Sequence, residues 1–512
     1  MLRSQVLCSS LAALLLAACG PAATDGGGLE LAFARQALES PCPEEAVSDP
    51  ALPPLDRLEI KLLTEAGAVH FEAGIDLAGK TSPEVGGIPE GEGLSLDVLG
   101  LVGGSPAWRG GAESITIVKG RSAYAKVLMT PLADMACARR PLHRPRAFTA
   151  AAPLADGRVL LAGGADTLAA DACGPGCAEL EATAAVDLFD SGSGSIYPAA
   201  ALNSPRALAT ATPLSDGKVL VVGGVRRLEL NGSTSLPADV DELDLVPSFE
   251  VYIPWEDLWI EKPLPDFEGR VFHTATPLGD GRVLVCGGGT DFDLALDSAI
   301  VFDPAGESVG DFVPLQRMNA PRFGHAAVRV GDKVLLIGGA VHPTSPPVED
   351  FSISDENFNA HSIQEAINLF FHSAVVLPLR PDEILVAGGA FLETDQLAYP
   401  LAANARLLSV SQSSVSQVSA MAVPRMMAQA VALDSNLVLV AGGFTDPGTT
   451  PSDSAELFDP SSEEFRAAPQ PLSTPRAGHA VAPVVGGRVL SAGGLGPDGL
   501  LGSGEIYTAP TQ

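Results

Sequence analysis

Four histidines recur at matching places in the second half of the chain, and histidine is the residue that most often binds metals and transfers protons. They are His273, His325, His372 and His479. Each occupies the equivalent position of a repeated segment, so a repeating fold would space them one repeat apart. No cluster of metal ligands surrounds any of them in the sequence. We therefore expect a structural role, with each imidazole bonding a neighbouring backbone group, and we predict no metal or other cofactor.

Two groups of aspartates are the next candidates, because calcium prefers carboxylate oxygens. One group is Asp239, Asp241 and Asp244, and the other is Asp291, Asp293 and Asp297. Neither matches the spacing of an EF-hand loop, which favours solvated surface over a calcium site. No local motif indicates a Ser-His-Asp arrangement. The sequence therefore predicts no catalytic residue.

The cysteines indicate an oxidising compartment. Cys173 and Cys177 flank a compact loop and are expected to bond to each other, and a Cys42–Cys137 disulfide is a second prediction. Cys286 lies in an apolar run and is expected to be an inert core thiol.

The first eighteen residues have the pattern of an export signal. Arg3 precedes a short apolar stretch, and small residues lead to Cys19. The run from Leu16 to Cys19 resembles the bacterial lipobox, which implies cleavage before Cys19 and acylation of that residue. Gly20 follows the cysteine, and the absence of aspartate there favours the outer membrane. We expect an exported protein that is lipid-anchored to the cell envelope.

The charge balance excludes one class of partner. The chain carries 62 acidic and 31 basic residues, a formal net charge of −31. Nucleic-acid binding needs a basic surface, so it is not expected. No apolar run after the signal is long enough for an ordinary membrane-spanning helix.

Two segments separate the signal from the repeats. Residues 19–54 are rich in Gly, Pro, Ala and Glu and are predicted to be a flexible tether, with a short helix possible from Leu29 to Leu38. Residues 55–130 alternate polar and apolar side chains between glycine-rich breaks, which predicts a small immunoglobulin-like or transthyretin-like β-sandwich.

Residues 131–512 contain seven copies of one pattern: an apolar segment, a turn that is often Asp-Gly, a four-residue apolar strand, and two glycines. The second glycines are Gly164, Gly224, Gly288, Gly339, Gly389, Gly443 and Gly494. An aromatic third strand and a weaker fourth strand follow, so each copy predicts one four-stranded propeller blade. The last copy lacks its fourth strand, and Met135 to Leu142 is expected to supply it and close the ring.

These repeats resemble kelch repeats, in the bacterial branch related to the central domain of galactose oxidase. The fourth-strand tryptophan usual in that family is present as Trp259, with Phe312 and Phe465 as replacements. The resemblance implies an all-β, seven-bladed propeller after the small β-sandwich. The galactose oxidase copper site needs tyrosines and histidines, and no tyrosine here falls in a recognisable copper motif.

A ring of arginines is the predicted binding face. Arg146, Arg206, Arg270, Arg322, Arg425 and Arg476 begin six of the seven blades. Loops 165–184, 225–248 and 340–360 are expected on the same face, where their net charges of −4, −3 and −4 would surround the arginines with an acidic rim. In one interpretation each arginine only bonds groups of adjacent blades; in the other it also offers donors to an acidic ligand.

The sequence predicts a binding or scaffold module for a protein or glycan at the cell envelope. The alternative is a carbohydrate-active or redox enzyme on a galactose oxidase-like propeller without the copper site.

Overall fold

The computed structural model describes most of the chain. The described residues are 26–35, 55–77, 83–170, 177–231, 243–265, 269–290, 295–306, 308–339, 342, 345–361, 363, 369–391, 401–446 and 450–510. Regular structure in these ranges is entirely β-strand, and no helix there has the length and hydropathy that a membrane span requires.

The N-terminal module is one seven-stranded sheet wrapped around a single apolar core. In order of pairing, its strands are Val69–Asp76, Arg57–Leu63, Gly91–Val102, Ser105–Ile117, Ser122–Pro131, Gly27–Arg35 and Glu84–Ile88. Strands from both ends of this order contribute to the core, which includes Leu31, Leu62, Trp108 and Val127. Alternation of buried and exposed residues, as in Arg57–Leu63, places one face of each strand on that core.

The segment predicted to be a tether needs correction. Gly27–Arg35 is a strand, not part of a flexible linker or a helix. It runs parallel to Ser122–Pro131 and antiparallel to Glu84–Ile88, and it buries Leu29 and Leu31. Its strand partners are far away in sequence, which local patterning does not reveal. Residues 19–25 and 36–54 lie outside the described ranges.

The described residues then form seven four-stranded antiparallel sheets, the blades of a propeller, which confirms the predicted fold class. The inner strands are Ala150–Pro153, Thr210–Pro213, Thr274–Pro277, Ala326–Val330, Ser373–Leu377, Gln429–Ala432 and Ala480–Val484. The second strands are Arg158–Ala162, Val219–Val222, Val283–Cys286, Lys333–Ile337, Arg380–Ala387, Val438–Ala441 and Arg488–Ala492. The third strands are Val186–Asp190, Ser248–Ile253, Ala299–Asp303, Val348–Ser352, Arg406–Ser409, Ala455–Asp459 and Gly504–Thr508. The outer strands are Ser195–Pro198, Leu258–Pro263, Asp311–Pro314, Asn357–Ala360, Ser414–Gln417, Glu464–Ala467 and Asp134–Cys137.

The blades close into a ring. Each inner strand contacts the inner strands of the blades on either side, including blade 7 against blade 1. Blade 7 takes its outer strand from Asp134–Cys137, which pairs antiparallel with Gly504–Thr508. The ring is thus closed by a strand that precedes blade 1, and this pairing covers an edge that would otherwise be exposed.

The glycine pair of every blade forms the contact with the next blade. The second glycine donates its N–H to the carbonyl of the residue that begins the following blade, at 2.8 to 3.0 Å around all seven junctions. In blade 1, Gly163 and Gly164 both have positive φ, and a Cβ at Gly163 would lie 2.2 Å from the Arg206 carbonyl oxygen. Only glycine fits this approach without displacing the neighbouring backbone.

Third and outer strands are joined by facing aromatic side chains. Tyr252 faces Trp259, with ring centroids 4.8 Å apart. Equivalent pairs are Phe302–Phe312, Phe351–Phe358 and Phe458–Phe465. Burying these rings between adjacent blades supplies apolar contact of the kind that stabilises such a ring.

The two ends of the ring, an upper face and a lower face, carry different parts of the blades. The upper face carries the blade junctions and the loops after the glycine pairs, which meet through backbone bridges such as Ala147 to Ala165. The lower face carries the hairpin turns between inner and second strands and between third and outer strands.

The module is packed on the lower face. Ser114 Oγ donates to the Ala155 carbonyl in the blade 1 turn (2.9 Å), and Arg109 pairs with Asp434 in the blade 6 turn (2.6 Å). Arg488 of blade 7 is buried at this interface and donates to the carbonyl of Leu128 in the module (3.1 Å). Because the contact involves blades 6, 7 and 1, module and propeller form one packed unit on this side of the ring.

The upper face carries an additional sheet over blades 1 and 2, which we call the cap sheet. Its strands, in order, are Ala165–Ala170, Cys177–Ala182, Val225–Asn231 and Asp244–Leu245. The two loops after the glycine pairs of blades 1 and 2 thus pair with each other. The cap sheet is not required for closure of the ring.

Candidate functional site

The six junction arginines are fully buried within the blades. Arg206 is representative: its Nη atoms donate to the carbonyls of Gly223 and Ser248 (both 3.0 Å) and to Glu250 (2.9 Å). Equivalent ion pairs with no more than 2% side-chain exposure are Arg146–Asp187, Arg322–Glu349, Arg425–Glu456 and Arg476–Glu505. Burial lowers the pKa of Arg146, Arg206 and Arg425, while the facing carboxylates act in the opposite direction.

The carboxylates of these pairs also bind the chain that enters the blade. Glu250 accepts from the backbone N–H groups of Asn203 (2.8 Å) and Ser204 (3.1 Å). Each pair therefore ties the junction to the third strand of its own blade. A carboxylate recurs near the start of the third strand in five blades. This recurrence in the sequence was the signal for buried ion pairs with the arginines, and the sequence analysis did not use it.

Two blades depart from this arrangement. In blade 5, Leu369 replaces the arginine and Arg406 stands where the other blades have a carboxylate. In blade 3, Ile300 replaces the carboxylate, and Arg270 donates to Ser298 Oγ (3.2 Å) and the Gly287 carbonyl (3.3 Å).

The prediction that the arginines offer donors to an acidic ligand needs correction. Their relative exposure is 0%, and their guanidinium groups are held by carbonyls and carboxylates within the blade. A ligand on the upper face cannot reach them without opening a blade. The arginines have a structural role.

The acidic rim also needs correction. Glu349 and Asp350 belong to the third strand of blade 4 and are buried, and Asp355 and Glu356 lie in the turn after it, on the lower face. In the cap sheet, Glu179 pairs with Arg227 (2.7 Å). Two further pairs there are Arg144–Asp166 and Arg226–Asp244. The described parts of loops 165–184 and 225–248 do lie on the upper face, but three of their four described acids are paired locally.

The four histidines line the centre of the ring, just below the upper face. They are buried, and burial lowers the pKa of His273 and His479 to about 3 and that of His372 to about 4, with His325 also well below its usual value. All four are therefore neutral at pH 7. His273 and His325 bond the hydroxyls of Thr210 (3.0 Å) and Thr274 (2.9 Å) in the preceding blade. The expected backbone partners are found for two of the four: backbone groups of Arg270 and Val222 lie within reach of the His273 ring, and that of Leu369 lies within reach of the His372 ring.

The other candidates give no site in the described ranges. Asp244 pairs with Arg226 (2.8 Å) and Asp297 with Arg317 (2.6 Å). The remaining members of both groups, Asp239, Asp241, Asp291 and Asp293, lie outside the described residues. Where the chain is described, no group of three or more His, Cys, Asp or Glu could hold a metal ion.

Only some of the cysteines in the predicted disulfides lie within the described residues. Cys137 is disulfide-bonded, but Cys42, its predicted partner, lies outside the described residues. Cys173 and the side chain of Cys177 also lie outside them. Cys286 is free and buried, and burial raises the pKa of its thiol, as expected for an inert core residue.

One residue from each blade forms a ring around the axis at the upper end. The seven share a left-handed backbone and lie two residues after the junction position: Phe148, Leu208, Phe272, Gly324, Phe371, Met427 and Gly478. N–H to carbonyl bonds link successive members, for example Phe371 to Gly324 (2.7 Å). We call the five apolar side chains of this ring the plug.

The plug fills the ring with side chains. Phe272 and Phe371 meet across blade 4, with ring centroids 5.0 Å apart. A Cβ at Gly324 would lie 2.9 Å from the Phe371 ring, and one at Gly478 would lie 2.5 Å from the Phe148 ring. Glycine at these two positions leaves room for the neighbouring phenyl rings, and the cap sheet packs Leu180 and Leu245 onto the plug from outside.

Two solved structures are similar to this chain. A fungal alcohol oxidase of the AA5 family, determined in complex with copper, superposes with a TM-score of 0.53 and 17% identity over 74% of this chain and 76% of that chain. The protein YjhT aligns with a TM-score of 0.46 and 15% identity over 64% of this chain and 98% of that chain. No protein-family model matches the chain, and no curated relative matches it either. The chain thus has a kelch-type propeller fold similar to that of the copper alcohol oxidase, a likeness of fold alone.

The residues present do not fit a copper centre of the kind that oxidase holds. Tyr124 is exposed on the module, whereas Tyr197, Tyr252 and Tyr507 belong to blade strands. None of these four described tyrosines lines the central cavity beside the histidines. We therefore derive no reaction through such a metal.

Proposed function

We propose that this protein is an exported, lipid-anchored binding protein that recognises a protein or glycan at the cell envelope, with the propeller as a rigid scaffold. The cap sheet is the observation that carries this proposal. It is a structured addition to the ring, it lies on the face opposite the module, and closure of the ring does not require it. Variable segments on a rigid scaffold are where binding surfaces usually lie.

The path of the chain supports an outward-facing cap sheet. Gly27–Arg35 runs parallel to Ser122–Pro131, whose C-terminal end leads directly into blade 7. Gly27 is therefore at the end of the module farther from the propeller. An anchor at Cys19 would place the membrane on the module side and direct the cap sheet away from it.

The anchor is tested by acylation. Labelled fatty acid should be incorporated into the wild-type protein at Cys19, and the protein should partition with membranes. A Cys19→Ala variant should lose both properties. If that variant partitions with membranes to the same extent as the wild type, the anchor is not at Cys19.

The binding surface is tested by shortening the cap sheet. Deleting residues 228–242 removes the hairpin of blade 2 but leaves the bridge between Ala207 and Val225. We expect this deletion to abolish binding on a glycan array or to envelope proteins immobilised from the same source. The matched control is Trp255→Ala, because Trp255 is 62% exposed on the lower face. Binding that survives the deletion but is lost in the control would place the site on the lower face.

A further inference from the structure

The end of the module that faces away from the propeller, which we call the anchor end, consists of residues 26–28, 64–70, 89–93 and 117–124. Strand Ser122–Pro131 begins at this end, and its other end leads into blade 7. Antiparallel pairing brings the turns between the other strands to the same end, because Ile117 pairs with Gly91 and Leu63 with Val69.

The start of the module is fixed to the anchor end by backbone bonds. The Gly120 N–H donates to the Gly26 carbonyl (3.0 Å), and the Gly28 N–H donates to the Arg121 carbonyl (2.8 Å). Cys19 precedes Gly26 by seven residues. An extended chain spans at most about 3.6 Å per residue, so an acyl group on Cys19 would lie within about 25 Å of this turn.

Apolar side chains are exposed at the anchor end. The described part of the module exposes four large apolar side chains, and three of them lie here: Val69 (55% exposed), Val118 (42%) and Tyr124 (64%). The fourth, Val102, is 40% exposed and lies at the opposite end, beside the propeller. Exposed apolar side chains gathered at one end of a domain are typical of a contact with a protein or a membrane.

The heights of Val118 and Tyr124 match the layers of a bilayer. Val118 lies in the turn, and Tyr124 is two residues beyond Ser122, which is about 7 Å along the strand. The headgroup layer on each side of the hydrocarbon is about 5 to 7 Å thick. With Val118 at the hydrocarbon boundary, the Tyr124 ring would lie among the headgroups, where tyrosine is enriched in membrane proteins.

The charged groups of the anchor end have both signs. Lys119 and Arg121 are exposed in one turn, and Glu65, Glu90 and Glu92 are exposed in the neighbouring turns. The chain as a whole has a net charge of −31, so an anionic lipid surface would repel most of the molecule. A zwitterionic phospholipid presents a phosphate and an ammonium group, which can pair with the cations and the carboxylates of this end.

We propose that the anchor end rests on a zwitterionic phospholipid surface, with Val118 at the hydrocarbon boundary and Tyr124 among the headgroups. This inference deepens the proposed function, because it rests on the anchor at Cys19. The acyl chains hold the protein at the membrane, and the apolar contact of the module adds to that attachment. Contact through a whole end of the module also fixes the orientation of the propeller, with the cap sheet directed away from the lipid.

Added tryptophans test this contact as depth probes. The full acylated chain is reconstituted in phosphatidylcholine vesicles whose acyl chains carry bromine, which quenches tryptophan on contact. We expect Val118→Trp to lose the most fluorescence, Tyr124→Trp to lose less, and Val102→Trp to behave as the wild type does. Val102 is the matched control, because it has the same side chain as Val118 and nearly the same exposure at the other end of the module.

Flotation of the same vesicles distinguishes failure of the contact from failure of the anchor. If the wild type does not float with the vesicles, the anchor and this inference both fail. If it floats but Val118→Trp is quenched no more than Val102→Trp, the anchor stands and the contact is overturned. Equal strong quenching of all three variants also overturns the contact, since it would show that the module has no preferred orientation. Thermal melting verifies that the variants, all at exposed positions, are folded.

Discussion

Acidification should destabilise this propeller through its buried histidines. A histidine whose folded pKa is lowered remains neutral in the ring but takes up a proton when the chain unfolds. Its contribution to stability is therefore fully present above pH 6.5 and is lost as the pH falls from 6.5 toward the folded pKa of about 3 to 4.

The magnitude follows from the difference in proton binding. At pH 5 an unfolded histidine with a pKa of 6.5 is almost fully protonated, which costs the folded state about 2 kcal/mol per buried imidazole relative to neutral pH. His273, His372 and His479 together would lose about 6 kcal/mol, which is comparable to the whole stability of a typical domain, and His325 acts in the same direction. The propeller should be close to unfolding at pH 5.

This loss of stability is measured by urea unfolding at pH 7 and at pH 5, with tryptophan fluorescence as the signal. The difference between the two free energies of unfolding gives its size. His479→Ala should reduce the difference between the two pH values by about 2 kcal/mol, since one titrating group has been removed. Leu379→Ala, which changes a 70%-exposed side chain without a titrating group, is the control and should leave the difference unchanged. Equal free energies of unfolding of the wild type at the two pH values, or equal behaviour of the two variants, would refute the reasoning.

Two further predictions concern the contacts that hold the ring. Arg425→Met leaves the buried Glu456 carboxylate unpaired and should lower the free energy of unfolding by about 3 to 5 kcal/mol, whereas Arg317→Met at a 76%-exposed side chain should change it by less than about 1 kcal/mol. Equal urea midpoints for these two variants would contradict a structural role for the buried pair. Gly163→Ala, at positive φ and against the Arg206 carbonyl, should cost more than about 1 kcal/mol, while Gly86→Ala, with open space around it, should have little effect in the same assay.

The seven-bladed fold could be predicted because its strands pair with near neighbours in the sequence. An apolar strand that ends in two glycines recurs seven times, and each recurrence places a hairpin and a blade junction. Gly27–Arg35 was missed because its two partner strands begin far along the chain, at Glu84 and Ser122, which are 57 and 95 residues after Gly27. The cap sheet was missed for a related reason, since it pairs loops of two different blades.

The role of the arginines could be predicted only in part. Their spacing placed them correctly at the blade junctions, but a repeat does not reveal which way a side chain points. Acidic residues at a recurring position of the third strand, such as Glu250 and Glu456, were the available signal for buried pairing. For blade 4, the acids of loop 340–360 were wrongly expected at the upper face because the third strand, Val348–Ser352, contains two of them and was not recognised.

The measurement that tests the proposed function most directly is site-specific photo-crosslinking in living cells. A photoreactive residue is introduced at Leu168, which is 38% exposed in the cap sheet, or at Trp255, which is 62% exposed on the lower face. We expect a specific crosslinked product from position 168 that is absent from position 255. A product from position 255 alone, with none from position 168, would contradict recognition through the cap sheet.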